Sequence, residues 1–332
     1  MNDGVTQATA ETPYADLTPD LVLDAIEHQG WRCSGHLLAL NSYENRVYQI
    51  GLDDGDFLIA KFYRPARWTD AQIQEEHAFL LELAEEDLPV VAPLLDESGA
   101  SLMHYRDYRL TLFPRQGGHT PDLESLDNLR ILGRCLGRMH AIGASRPFRH
   151  RVTMTAQRLG HESRAFLLES DFIPHEMRNA YESLTADLLT RIDRLNIPAD
   201  GRIHGDCHPG NLLWRDGGPH FVDFDDSVTG PAVQDLWMLL TGEGDDQLLQ
   251  LDAVLSGYET FNHFDARQLG LIEALRTLRI MHHAAWIARR WSDPAFPHGF
   301  SWFGTLRYWS DHVLDLREQM AALDEPPLSR WP

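Results

Sequence analysis

The hydrophobic pattern changes character at Gly117-Gly118, and that change constrains the fold more than any other feature of the chain. Up to residue 115 the pattern runs in short, strand-like stretches. Residues 36–40 and 46–50 read as strands flanking a polar loop, Asn41-Ser42-Tyr43-Glu44-Asn45, and residues 57–63 read as a largely buried strand. Two more strands are expected near 101–105 and 108–113. Two helices join them. One, near 19–29, is capped by Asp16 or Thr18 and ended by Gly30. The other, over 68–86, sets Ile73, His77, Leu80, Leu81 and Ala84 on one side, and Pro89 stops it.

Beyond the glycine pair helical spacing takes over. Residues 126–144 are amphipathic, with Leu129, Leu132, Leu136 and Met139 on one face. Residues 153–196 read as mostly helical and 202–224 as compact strand and loop. Helices are then expected over 233–240, 247–258, 266–291 and 305–322. The whole predicts an α+β chain with a loose acidic tail over 1–17, a small β-rich lobe over 18–115 and a larger helical lobe over 116–332. A cleft between lobes is where a small ligand binds.

Composition narrows the function. Lys plus Arg number 29 and Asp plus Glu 50, a net charge of −21. Nucleic-acid affinity comes largely from basic side chains releasing counterions, so a nucleic-acid partner is not expected. Docking on an anionic membrane is disfavoured for the same reason, and no run reaches the ~18 apolar residues of a spanning helix. Cys33, Cys135 and Cys207 are far apart with no CxxC pair, which fits a reducing compartment rather than a disulfide framework. The first residues lack the basic and apolar regions of a signal peptide. A cytoplasmic monomer is the expectation.

The chemistry concentrates in His204-Gly205-Asp206-Cys207-His208-Pro209-Gly210-Asn211, followed by Phe221-Val222-Asp223-Phe224-Asp225-Asp226. Asn211 and Asp223 offer two oxygen ligands, which suits Mg²⁺, an ion that leaves most of its coordination to phosphate and water. Asp206 lies upstream on the same loop, placed to orient a substrate hydroxyl or take its proton. Asp/Asn/Gly-rich stretches are most often mere turns, but this pattern is too long for that reading. His204 and His208 straddle a Pro-Gly turn and not a helix, so a zinc pair is disfavoured and His204 is read as shaping the loop.

This segment resembles the catalytic and metal-binding loops of the aminoglycoside phosphotransferase and choline kinase group, which has the protein-kinase-like bilobal fold. The resemblance implies that Asp206 is the catalytic base, that Asn211 holds Mg²⁺, and that Asp223 takes the metal role of the kinase Asp-Phe-Gly aspartate. Lys61 closes a Phe-Leu-Ile-Ala-Lys strand close in form to Val-Ala-Ile-Lys. It is expected to hold ATP phosphates, paired with Glu76 on the next helix, with Glu75 as the fallback. Ser42, on a loop without the usual glycines, is expected to bond a phosphate. Backbone around 112–115 is expected to receive adenine. Asp235 resembles the aspartate that opens a helix and braces the catalytic loop. Asp225 and Asp226 read as metal-site neighbours, substrate ligands or a solvated turn.

Leu40-Asn41-Ser42-Tyr43-Glu44-Asn45-Arg46-Val47-Tyr48, Lys61-Phe62-Tyr63-Arg64-Pro65, Arg67-Trp68-Thr69, Gly230-Pro231-Ala232-Val233-Gln234-Asp235-Leu236-Trp237-Met238 and Arg289-Arg290-Trp291-x-Asp293-Pro294-Ala295-Phe296-Pro297 resemble, more closely, the bacterial stress response kinase A family. That implies a cytoplasmic, Mg²⁺- and ATP-dependent Ser/Thr protein kinase that autophosphorylates and acts in stress control. A small-molecule hydroxyl kinase is the alternative, because only eleven residues separate Asp223 from Asp235 and no Ala-Pro-Glu motif follows. A nucleotide-binding pseudokinase is third, opposed by intact Lys61, Asp206, Asn211 and Asp223. The acidic chain favours cationic acceptors such as aminoglycosides or basic peptides.

Overall fold

The computed structural model describes residues 13–329. Thr18 caps helix α1 (Pro19–His28), accepting from the Leu21 N–H, while Asp16 takes no part. Five strands follow: β1 (Cys33–Ala39), β2 (Arg46–Leu52), β3 (Phe57–Phe62), β4 (Met103–Tyr105) and β5 (Tyr108–Pro114). They form one antiparallel sheet in the order β1-β2-β3-β5-β4. Its core is Val22, Ile26, Ile50, Phe62 and Leu110, packed under α1. The register sets Lys61 in mid-sheet, between Val47 and Thr111.

Most of the expected tail, residues 1–12, lies outside the described residues. Its last part is packed. Leu17 belongs to the sheet core, and the Tyr14 hydroxyl donates to the carbonyls of Phe62 at 3.2 Å and Glu44 at 3.3 Å.

Helix α2 (Asp70–Glu85) starts at a capping box. Thr69 accepts from the Gln72 N–H, and Gln72 accepts from the Thr69 N–H. Its apolar face does more than cover the sheet. Phe79, Leu80 and Leu83 enter the main core of the helical lobe beside Leu129, Leu132 and Phe224. The two lobes therefore share α2, which ties the sheet to the helices.

The helical lobe comprises α3 (Leu126–Ala144), a π-helical turn (Gln157–His161), α4 (Glu162–Glu169), α5 (His175–Ile192), α6 (Val233–Trp237), α7 (Gly244–Tyr258), α8 (Ile272–Arg289), α9 (Ala295–Gly299) and α10 (Leu306–Ala322). Helices α3 and α7 approach closely because Gly133 has no side chain; a Cβ there would stand 2.1 Å from the Val254 carbonyl oxygen. Two small hairpin-like pairs carry the loops of interest. Strand β6 (Gly201–Ile203) pairs with β9 (Val228–Gly230), and β7 (Leu212–Arg215) with β8 (Gly218–Phe221). The expected helix over 233–240 stops at Trp237, and that over 266–291 begins at Ile272, after a 3-10 turn. No described helix is long and apolar enough to cross a membrane.

Candidate active site

The loop after β6 is held in place from below. Asp235, fully buried in the first turn of α6, accepts the N–H groups of His204 and Gly205, each at 2.8 Å, and faces the His140 ring nitrogen Nε2 at 3.0 Å. One carboxylate thus satisfies two backbone donors that burial would otherwise strand. Gly205 makes the turn. Its φ is +83°, and a Cβ would lie 2.3 Å from the Asp226 carbonyl oxygen, so only glycine fits.

His204 is spent on structure. Its Nε2 lies 3.0 Å from the Val222 carbonyl, its Nδ1 accepts from the Asp206 N–H at 3.3 Å, and its ring packs 4.4 Å from Phe224. Both nitrogens are occupied, leaving none for a metal. His208 caps the short turn Pro209–Asn211 by accepting the Gly210 N–H at 3.0 Å, and its Nε2 lies 3.5 Å from Asp206.

Asp206 emerges at the cleft with its carboxylate against Arg279 and His208. Burial alone would raise this carboxyl, but the His208 hydrogen bond and the Arg279 charge hold it well below the usual carboxylate range. Asn211 Nδ2 donates to the Asp206 carbonyl at 2.9 Å and reaches its carboxylate at 3.4 Å. That fixes the amide and leaves its Oδ1 as a free oxygen donor. Asp223 follows β8 in the left-handed region, φ 57° and ψ 65°, a strained conformation that turns its half-exposed side chain into the cleft. No cluster of three or more His, Cys, Asp or Glu able to hold a metal occurs among the described residues. Two oxygen donors facing a nucleotide-sized cleft fit Mg²⁺, whose other ligands are phosphate and water.

Across the cleft, buried Lys61 meets Asp223 at 3.1 Å and Asp225 at 3.2 Å, the second contact off the line of a hydrogen bond. Burial would lower this ammonium, but Asp225, Asp223 and Glu76 together raise it well above the ordinary lysine value. The expected Lys61–Glu76 ion pair is not formed. The Glu76 carboxylate instead bonds Arg151 at 3.2 Å, in a buried pair. Glu75, the fallback, accepts the backbone N–H groups of Arg149, His150 and Arg151 and does not pair with Lys61. The physical reason is Arg151, a buried cation brought to α2 by the helical lobe, which the strand-and-helix pattern could not reveal. Burial raises Glu76 from 4.5 to about 7, although Lys61 and Arg151 both oppose the shift.

Asp225 is the charge hub that sequence reasoning left open. It is buried, it accepts from Asn45 Nδ2 at 3.1 Å, and it pairs with Lys61 and Arg67. Those cations keep it below the usual range despite its burial. It is no solvated turn. Asp226 is half exposed and pairs with Arg67 at 2.6 Å.

Ser42 lines the cleft on the β1–β2 loop. The loop is clamped from the far end of the chain. Asp293 accepts both Arg46 Nη2 contacts, at 3.0 and 3.1 Å, and also pairs with Arg64. Glu44 meets Arg64 at 3.0 Å and pairs with Arg290, and the Tyr43 ring lies 4.8 Å from Phe300. Of these partners, all but Phe300 lay in the family-like motifs, but their pairing was not visible there. The signal was a charged Asp293 set inside an apolar, aromatic stretch. The cleft between the lobes holds about 1130 Å³ and has apolar walls from Val47, Ile59, Phe113, Leu213 and Val222. Phe113 and Pro114, in the segment expected to receive adenine, line it, as does Gln116.

A family model described as the phosphotransferase enzyme family matches residues 36–271, a span that includes Ser42, Lys61, Asp206, Asn211 and Asp223 but ends before Arg279 and Asp293. The stress response kinase A of Escherichia coli O157:H7 is 42% identical over 322 residues, covering 96% of this chain and 97% of that protein. The chain belongs to this phosphotransferase family, among the stress response kinase A proteins. A Salmonella typhimurium relative at 42% identity and the same coverage bears the name serine/threonine protein kinase RdoA. Among solved structures, the amicoumacin kinase hAmiN, bound to AMP-PNP, Ca²⁺ and Ami, superposes with a TM-score of 0.71 at 20% identity. The match covers 94% of this chain and 95% of that one. That likeness establishes the kinase-like bilobal fold of this phosphotransferase.

Proposed function

We propose that this phosphotransferase is an ATP- and Mg²⁺-dependent Ser/Thr protein kinase that autophosphorylates and acts in stress response. The observation that carries the reading is the convergence of Lys61, Asp223, Asn211 and Asp206 on one cleft, from both lobes. Phosphoryl transfer needs little covalent chemistry from a protein; it needs position and charge. Bound Mg²⁺, held by Asn211 Oδ1 and Asp223, would neutralise charge developing on the phosphates. Lys61 is fixed by two carboxylates and cannot swing away from the phosphates. Ser42 stands on a clamped loop and bonds a phosphate there. Asp206 is ionised throughout the neutral range because His208 and Arg279 hold its carboxyl low. Such a carboxylate is a weak base, so its main work is to align the acceptor hydroxyl by a hydrogen bond and to receive the proton late. Glu76 acts on Lys61 through the field of the buried cluster and not through contact.

One observation favours the small-molecule alternative. The stretch after Asp223 goes through a 3-10 turn and β9 straight into α6, leaving no long activation segment over the acceptor side. Incubation with labelled ATP and Mg²⁺, alone, with a generic basic protein and with an aminoglycoside panel, separates the readings. Label on serine or threonine supports the protein kinase. Label confined to the small molecules transfers the assignment to the alternative.

A further inference from the structure

The chain carries a net charge of −21, yet the acceptor side of its cleft is lined by cations. Beyond Asp206 the lining includes Arg158, Arg279, Arg289 and Arg290, with His282 and His283 between them. Arg290 is neutralised by Glu44 and Arg279 by Asp206 itself. Arg158 and Arg289 share only the more distant charge of Glu162, to which Asp226 adds for Arg158. Among the described residues neither forms an ion pair. Arg158 stands 5.8 Å over the Trp68 ring, and Arg289 donates to the Glu162 carbonyl at 3.0 Å and sits 4.9 Å over Phe166. The nearby carboxylate of Asp226 is taken by Arg67.

Holding these groups together is unfavourable. Burial lowers the affinity of Arg158 for its proton; the carboxylates of Asp226 and Glu162 oppose the shift, and the charges of Arg67 and Arg289 add to it. Arg289 is depressed by burial as well. His282 is pushed down to about 4 by burial, with Arg158, Arg289 and Arg290 adding to it, so it stays neutral. A second, independent irregularity lies at the same place. Arg158 is carried on the π-helical turn Gln157–His161, a rare backbone form often met at functional sites. The turn docks through Gly160, where a Cβ would stand 2.4 Å from Leu189.

We propose that the acceptor is a Ser/Thr segment with acidic residues beside the hydroxyl, read by Arg158 and Arg289. This rests on the protein-kinase reading above and adds the substrate class. It reverses the expectation of a cationic acceptor, because the acids on that wall, Asp206, Asp226 and Glu44, are already paired while Arg158 and Arg289 have no ion-pair contact. Arg158 on the π turn and Arg289 at the end of α8 come from separate elements and offer two anchoring cations on one wall of the cleft. The negative exterior repels a long polyanion, so a short acidic segment entering the cleft fits where a nucleic acid does not.

The test is a matched set of Ser peptides, flanked by Asp/Glu, by neutral residues or by Lys/Arg, assayed with labelled ATP and Mg²⁺ on the full chain. An acidic-over-basic preference of about tenfold or more in kcat/KM is expected. Arg158→Glu should shrink that ratio or invert it, a gain toward basic peptides that damage to the fold cannot produce; thermal melts report folding. Equal use of all peptides, or preference for basic ones, overturns the proposal and leaves the kinase reading intact. Label only on small anionic alcohols, or only on RNA, overturns both the peptide acceptor and the protein-kinase reading. Nucleotide binding with no transfer to any acceptor overturns both as well.

Discussion

The two halves of the cleft treat charge in opposite ways. On the nucleotide side each buried cation has a carboxylate: Lys61 has Asp223 and Asp225, Arg67 has Asp225 and Asp226, Arg151 has Glu76, and Arg64 has Glu44 and Asp293. On the acceptor side Arg158 and Arg289 have no ion-pair contact among the described residues, only the more distant charge of Glu162 and, for Arg158, of Asp226. Closed networks pre-organise; open cations await a partner. The difference teaches that a net charge is a poor guide to a site, since −21 overall coexists with a basic acceptor wall.

Changes on the nucleotide side should act on the fold and the chemistry together, and those at Arg158 and Arg289 on selectivity alone. Asp223→Ala removes a phosphate-facing ligand and should abolish transfer, with Mg²⁺-dependent nucleotide affinity falling about 100-fold or more in a Mg²⁺ titration. Unchanged affinity would argue against its metal role. Asp225→Ala leaves Lys61 and Arg67 short of a partner in a buried place. Breaking such a cluster costs about 3–5 kcal/mol, readable as a lowered denaturation midpoint. A stability change within about 0.5 kcal/mol would return Asp225 to the status of an ordinary turn residue.

Glu76 gives the comparison a pH axis. Its folded value, about 7, lies above the ordinary 4.5, so the folded protein keeps a proton that the unfolded chain has lost between those values. Stability from this group is present below pH 4.5 and declines as pH rises toward 7. Glu76→Gln should flatten that part of the stability–pH profile. A profile parallel to the wild type would break the assignment. The smallest effect concerns salt. Raising ionic strength from about 0.05 to 0.2 M should weaken KM for an acidic peptide several-fold, because the acceptor cations are partly open to solvent, and should barely move KM for ATP.

Much of this was legible in the sequence. The strands around Lys61, the amphipathic α3 and the loop 204–211 follow from local pattern, since each is decided by residues near in the chain. Asp235 was readable only through the family resemblance, since the N–H groups it accepts, those of His204 and Gly205, lie far back in the chain. What stayed hidden is pairing over long separations. Glu76 meets Arg151 and not Lys61, and Asp293 clamps Arg46 and Arg64 across more than 200 residues of chain. Nothing in a local period records which cation reaches which carboxylate. The charge of Arg158 was visible, but its lack of an ion-pair contact became visible only in three dimensions.

The central claim is that Asp206 aligns the acceptor while the rest of the site binds the nucleotide without it. The direct measurement pairs transfer from labelled ATP with nucleotide affinity, for the wild type and Asp206→Asn. The account predicts a loss of transfer of about 10²–10⁴-fold with ATP·Mg²⁺ affinity within a few-fold of the wild type. Near-normal transfer by Asp206→Asn would contradict it.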